Sequence, residues 1–204
     1  NHLISPTLYL GSRVDPEGDG QPSPAADGDD TNPSGLDDED GVSFDTPLIP
    51  GEIATITVLA VGSGNFSGWL DFNGSGQFGP GERVFTNTAL SPGSTVLSFT
   101  VPATATPGNT GARFRYTSGS LTAPTGPALD GEVEDYLVTL SQLDFGDLPD
   151  DAASPAGYAA QTYPTGLADN GARHVILAAS NPTLGSTVDA EGDGQPDLEA
   201  LGDD

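Results

Sequence analysis

The chain of 204 residues carries 30 acidic and 5 basic side chains, a formal net charge of −25, so nucleic acid and anionic membrane surfaces would repel it before contact. All the basic residues are arginine and there is no cysteine, which excludes lysine crosslinks, Schiff-base chemistry, disulfides, thiolate metal sites and a cysteine nucleophile. With 28 glycines, 18 prolines and no apolar run long enough to cross a bilayer, the composition favours short strands joined by frequent turns over helices.

Residues 1–41 form an acidic Gly/Pro-rich stretch with little periodicity. Asp15, Glu17 and Asp19 alternate with Pro16, Gly18 and Gly20, the Gln21 carbonyl follows, and Asp27, Asp29 and Asp30 come next. Carboxylates at alternate positions around glycine are what a hard cation such as Ca²⁺ requires, and a solvated acidic linker is the competing reading. Asp37, Asp38 and Asp40 stand just before Gly41 as a candidate junctional site, with an exposed charge run as the alternative.

From residue 42 to about 141 the pattern changes to period-two alternation, which predicts strands. They fall at Val42–Phe44, around Ile53–Val58, at Phe66–Phe72, Arg83–Thr86, Val96–Val101, Ala112–Thr117 and Val133–Leu140. Ala54, Ile56 and Val58, with Leu97, Phe99 and Val101, and with Ala112, Phe114 and Tyr116, form the apolar sets that should face inward. Turns such as Ile49-Pro50-Gly51 and Ser91-Pro92-Gly93 separate the strands, which is the pattern of an immunoglobulin-like β-sandwich.

Within this segment Asp71, Asn73, Ser75, the Gln77 carbonyl and Glu82 occupy positions 1, 3, 5, 7 and 12 of an EF-hand-type loop, with Gly76 at position 6. Ser75 stands where aspartate is usual, and an Asn/Gly-rich hairpin is the alternative. At the start of the last strand Glu132 and Glu134 share one face and Asp135 takes the other. At least one of these carboxylates should therefore be buried and need a cation or an arginine, Arg113 or Arg115 serving equally well.

Residues 142–204 open a second acidic stretch with Asp144 and Asp147. Here Asp189, Glu191, Asp193 and Gln195 repeat Asp15, Glu17, Asp19 and Gln21 at an offset of 174 residues (189 less 15), and Asp203 answers Asp29. The match extends upstream: Leu184-Gly185-Ser186 answers Leu10-Gly11-Ser12, and His174 answers His2 across a two-residue difference in length. The chain thus spans slightly more than one period of a tandem array. The expected division is residues 1–41 as the C-terminal part of one acidic Ca²⁺-binding module, 42–141 as the sandwich, and 142–204 as a second copy of the module truncated at its C-terminal end.

The runs GWLDFNGSGQFGPGERVF, GEVEDYLVTL, DFGDLPD and GARHVIL, with the two LGS and EGDGQP segments and DDEDGV, resemble the GEVED-type repeats of very large bacterial surface and secreted proteins. The resemblance implies an all-β, immunoglobulin-like sandwich flanked by Asp/Gly-rich calcium-binding loop modules. It also implies an extracellular place at the bacterial cell surface, in adhesin-like proteins of cell adhesion or biofilm formation, with several Ca²⁺ ions bound. The function expected is a non-catalytic spacer with neighbouring repeats as partners, no nucleic acid and no membrane insertion. Ca²⁺-dependent binding of a surface glycan or protein ligand, and head-to-tail self-association, are the alternatives. No paired carboxylates in an apolar setting suggest an enzyme.

Overall fold

The computed structural model describes residues 2–14, 22–26, 39–150, 163–176, 183–184 and 186–202. Among the described residues the fold is carried by ten strands: β1 (Tyr9–Leu10), β2 (Val42–Phe44), β3 (Ile53–Val61), β4 (Gly64–Leu70), β5 (Arg83–Leu90), β6 (Gly93–Thr100), β7 (Gly108–Thr117), β8 (Glu132–Leu140), β9 (Gln142–Phe145) and β10 (Arg173–Ile176). A single short 3-10 turn, Leu167–Asp169, is the helical content of the described residues. Every strand predicted from the alternation is present, and the apolar sets do face inward. Ala54, Ile56 and Val58 are fully buried while their neighbour Ile53 is 67% exposed, as the pleat demands.

All named strand pairs are antiparallel. One sheet is built on β3, with β6 on one edge and β2 and β1 on the other; the second runs β5-β4-β7-β8. The Leu59 amide donates to the Gly41 carbonyl at 2.8 Å and the Leu59 carbonyl accepts from the Gly11 amide at 2.8 Å. The N–H and C=O of one strand residue point the same way, so β1 and β2 lie end to end along the same edge of β3. Counting from β2, the first, second and fifth strands face the fourth, third, sixth and seventh, an immunoglobulin-like order with the fourth strand moved to the second sheet.

The two sheets enclose one core. Phe66 stacks on Phe114 at 5.3 Å between ring centroids, Phe44 of the opposite sheet meets Phe114 at 6.1 Å, and Phe85 meets Phe99 edge-on at 5.7 Å. Residues before Val42 share this core: Leu8 is buried and Leu10 is fully buried. The segment that reads as a separate acidic module therefore contributes a strand and two leucines to the sandwich. Composition conceals this, because two apolar side chains in a polar run leave no periodic trace.

The outer face of the β5-β4-β7-β8 sheet is covered by the long β7–β8 connection. Arg115 donates to the carbonyls of Ala123 (3.1 Å), Thr125 (3.0 Å) and Gly126 (2.7 Å), and Arg83 donates to Leu121 at 2.8 Å. Trp69 is buried on this face under the Arg83 guanidinium, 4.9 Å from its ring centre, and is closed to a sugar ring. After β8, Ser141 alone separates the sandwich from β9, which pairs with β10 as a two-stranded sheet. The Ser141 amide donates to Leu48 at 2.8 Å, and Arg173 pairs with Glu52, tying this small sheet back to the sandwich.

Candidate functional site: the inner face of the last strand

Period-two geometry sends Glu132, Glu134 and Tyr136 to the inner face of β8 and Val133 and Asp135 to the outer face. Glu132 and Glu134 are buried, 4% and 1% exposed. Strand β8 is an edge strand, so these side chains meet the chain that runs along the edge of the opposite sheet. Glu132 Oε2 accepts the Leu10 amide at 2.6 Å, and Glu134 Oε1 accepts the Gly41 amide at 3.0 Å. The Tyr136 hydroxyl accepts the Val42 amide at 3.0 Å and donates to Glu134 Oε2 at 3.0 Å. Three acceptors at alternate positions thus capture three backbone amides, one from β1 and two at the start of β2. Burial, then the charge of Glu134, pushes the Tyr136 phenol well above its ordinary value, so it stays a donor at any physiological pH.

The signature glycine has its own reason. Gly131 has φ +90°, and a Cβ there would lie 1.8 Å from the Tyr116 carbonyl oxygen. On the outer face Asp135 closes a two-pronged ion pair with Arg113, Nε to Oδ1 at 2.7 Å and Nη2 to Oδ2 at 2.5 Å. That pair, with its hydrogen bond as the leading cause, raises the Arg113 pKa. The structure thus separates the two arginines that the sequence leaves interchangeable: Arg113 takes the carboxylate, and Arg115 takes loop carbonyls and a histidine.

Opposite this row lies the N-terminal arm. Gly11 has φ +66°, and a Cβ on it would overlap Asp40 Oδ1 at 1.6 Å, so the arm passes Asp40 without a side chain between them. The Ser12 amide donates to Asp40 Oδ1 at 2.8 Å, and the Ser12 hydroxyl donates to Oδ2. At the far end of the arm His2 Nδ1 donates to the Asp130 carbonyl at 2.7 Å and Nε2 accepts from Arg115 Nε at 3.0 Å. Those two partners specify the neutral tautomer protonated on Nδ1. Burial, reinforced by the Arg115 charge, lowers the His2 pKa to about 4. Asp130 accepts from the Ser118 hydroxyl at 2.5 Å and the Thr117 hydroxyl at 2.7 Å, and these bonds hold its pKa below the ordinary value.

The 71–82 loop is closed by the side chains that its spacing singles out. Asp71 Oδ1 and Oδ2 accept the amides of Ser75 (3.1 Å) and Gly76 (2.7 Å), and Glu82 Oε1 and Oε2 accept those of Asn73 (3.3 Å) and Gly79 (2.6 Å). Asn73 Oδ1 accepts from Ser75 at 2.9 Å, and the Ser75 hydroxyl donates to the Gln77 carbonyl at 3.1 Å. Asp71 and Glu82 are each 4% exposed, whereas Asn73, Ser75 and Gln77 are exposed. The side chains and carbonyl at positions 1, 3, 5, 7 and 12 are oxygen donors of the kind Ca²⁺ takes, and each carboxylate oxygen keeps a lone pair beyond its amide bond.

In the second acidic stretch the carboxylates serve separate backbone contacts. Glu191 Oε2 accepts the Phe145 amide at 2.8 Å, Asp193 Oδ1 accepts that of Leu167 at 2.6 Å, and Asp147 Oδ2 accepts that of Gly202 at 3.1 Å. Asp144 stands opposite His174 in the β9–β10 ladder, the Gln195 backbone packs against Gly202, and Asp189 is exposed. Among the described residues no three Asp, Glu or His side chains are grouped to hold an ion. Asp15, Glu17, Asp19, Gln21, Asp27, Asp29, Asp30, Asp37, Asp38 and Asp203 lie outside the described residues.

Tyr136, Gly11 and Asp197 are the contributors that sequence reasoning passes over. Asp197 Oδ2 accepts the amides of Glu199 (3.1 Å) and Leu201 (3.4 Å), and its own amide donates to Asp147 at 2.9 Å. The i, i+2 spacing of Tyr136 from Glu134 and the repetition of Leu-Gly-Ser were the available signals.

Residues 65–139 match the family model of the GEVED domain, a span that runs from β4 through β8 and contains the glutamate row. No curated protein and no solved structure matched the chain.

Proposed function

We propose, for a chain whose residues 65–139 are a GEVED domain, that it serves as a non-catalytic spacer repeat, stiffened by Ca²⁺, in a large extracellular protein of the bacterial surface. The observation that carries this reading is the joint between acidic arm and sandwich. Leu10 sits in the inter-sheet core, its amide on buried Glu132, while Gly41 and Val42 are held by Glu134 and Tyr136. A spacer must transmit orientation from one unit to the next, and a connection made of core side chains and charge-assisted hydrogen bonds does so where a flexible linker does not. The repeated LGS and EGDGQP segments supply the array, with neighbouring repeats as partners.

Calcium enters through the 71–82 loop, where Asp71 and Glu82 would hold the ion with the oxygens of Asn73, Ser75 and the Gln77 carbonyl. Of the Asp-rich runs, 15–30 is the other candidate, because the carboxylates of its counterpart at 189–203 serve separate backbone amides. An ion present at a hundred times its dissociation constant would stabilise the fold by about 2.7 kcal/mol, and it would relieve the repulsion of a strongly negative chain. Thermal unfolding in Ca²⁺, Mg²⁺ and chelator, with calorimetric titration, tests this. A Ca²⁺-selective rise in midpoint that shrinks in Glu82→Gln supports the reading; equal midpoints in all three media refute the calcium part and leave the spacer geometry to be judged on the joint.

A further inference from the structure

The two copies of the repeated segment meet different surroundings within one chain, and the contrast singles out a docking element. In the first copy Leu10 is 0% exposed, paired with Ala60 on the β3 edge, and His2 is half-buried against Arg115 and Asp130. In the second copy Leu184, which answers Leu10, is 103% exposed; Val188 is 39% exposed, and His174 is exposed. The residues that seat the first copy are nevertheless all present in the second: the histidine, the leucine, the glycine that slips past an aspartate, and the serine that binds it. What differs is that the sandwich edge of this chain is already taken by β1.

We propose that His174, Leu184 and Ser186 belong to a docking arm for the sandwich of a following repeat, seated there as His2, Leu10 and Ser12 are seated on the sandwich of this chain. Leu184 enters the inter-sheet core of that sandwich and adds a short strand to the edge equivalent to β3, its amide on the glutamate equivalent to Glu132. Ser186 binds the aspartate equivalent to Asp40. His174 bridges the equivalents of Arg115 and the Asp130 carbonyl. The occupant is a second copy of this sandwich because each group on the arm has a counterpart whose partner is already seen at the first joint. The inference rests on the tandem-repeat reading but not on calcium. Its mechanical consequence is that each acidic module grips two sandwiches, the preceding one through Arg173–Glu52 and the following one through the arm.

The test uses a tandem chain in which residue 204 is followed by residues 31–204, which continues the 174-residue repeat in register. Its second sandwich has only residues 174–188 available as an arm. Amide hydrogen exchange is measured on the tandem and on the 204-residue chain. In the shorter chain the amides of Leu10 and Ser12 should exchange slowly and those of Leu184 and Ser186 fast; in the tandem both pairs should be slow, Leu184 and Ser186 by about 100-fold relative to the shorter chain.

Leu184→Asp should lower the unfolding midpoint of the second sandwich in the tandem and leave the 204-residue chain unchanged. Fast exchange at Leu184 and Ser186 beside a folded second sandwich, identified by slow amides in its counterparts of β4 and β7, overturns the proposal. So does a second sandwich that fails to fold although the arm is attached. Repeating the measurement in Ca²⁺ and in chelator separates the two readings, since protection that persists in chelator establishes the arm whether or not calcium binds.

Discussion

Removing one oxygen atom, in Tyr136→Phe, tests whether the inner face of β8 holds the sandwich closed. The hydroxyl accepts the Val42 amide and donates to Glu134, both at 3.0 Å. The first bond joins neutral groups and is worth about 0.5–1.5 kcal/mol; the second ends on a carboxylate and is worth about 1.5–3 kcal/mol. Phenylalanine preserves the ring contacts to Phe44 at 6.2 Å and Phe114 at 5.8 Å, so the loss is confined to the polar terms, about 2–4 kcal/mol.

For a domain of this size that lowers the unfolding midpoint by on the order of 10–20 °C. Trp69 is the only tryptophan and lies on the same sheet as β8, so its fluorescence reports the transition without a label. Glu134→Gln and the double variant complete a cycle, and the coupling should exceed about 1 kcal/mol because the two residues share one hydrogen bond. A drop of less than about 0.5 kcal/mol in Tyr136→Phe, with additive effects in the cycle, would refute the claim that these acceptors hold the edge.

The two leucines form an internal control: Leu10→Ala should cost about 2–5 kcal/mol because the side chain is fully buried, while Leu184→Ala should stay within about 0.5 kcal/mol in the 204-residue chain, both read from chemical denaturation. Gly11→Ala should destabilise by about 1–3 kcal/mol, because φ +66° and the overlap with Asp40 act together; retention of wild-type stability would mean that the arm is not held against Asp40. His2 has a folded pKa of about 4, below its unfolded value near 6.5, so the unfolded chain binds the extra proton between those values. Its contribution is therefore complete above about pH 6.5 and is lost as pH falls toward 4, with faster amide exchange at residues 8–12; His2→Gln should remove that part of the pH dependence, and an unchanged profile would show that the imidazole does not seat the arm.

Much of the sandwich was legible because alternation is a local property: Phe114 and Tyr116 inward with Arg113 and Arg115 outward follows from the pleat alone. The repeat, the acidic clusters and the burial of a carboxylate at the start of β8 were legible on the same footing. What satisfies that carboxylate was not. Charge pairing suggested arginine or a cation for Glu132 and Glu134, and the structure supplies backbone amides from residues more than ninety positions away in sequence. A backbone N–H has no side-chain identity, so no residue type in the sequence could announce it. The same holds for the acidic runs: Glu191 and Asp193 share a face by spacing, yet they serve Phe145 and Leu167, which only the chain's path brings near.

The order of residues was therefore enough to establish an all-β chain, a recurring acidic segment and a signature strand, since composition, periodicity and self-similarity survive without coordinates. Tertiary structure alone decided that β1 and β2 share one edge of β3, that Leu10 belongs to the core while Leu184 does not, and that the glutamates of the signature hold amides. Each of those depends on contacts between segments far apart in the chain, and a buried acceptor takes whatever donor the fold carries to it.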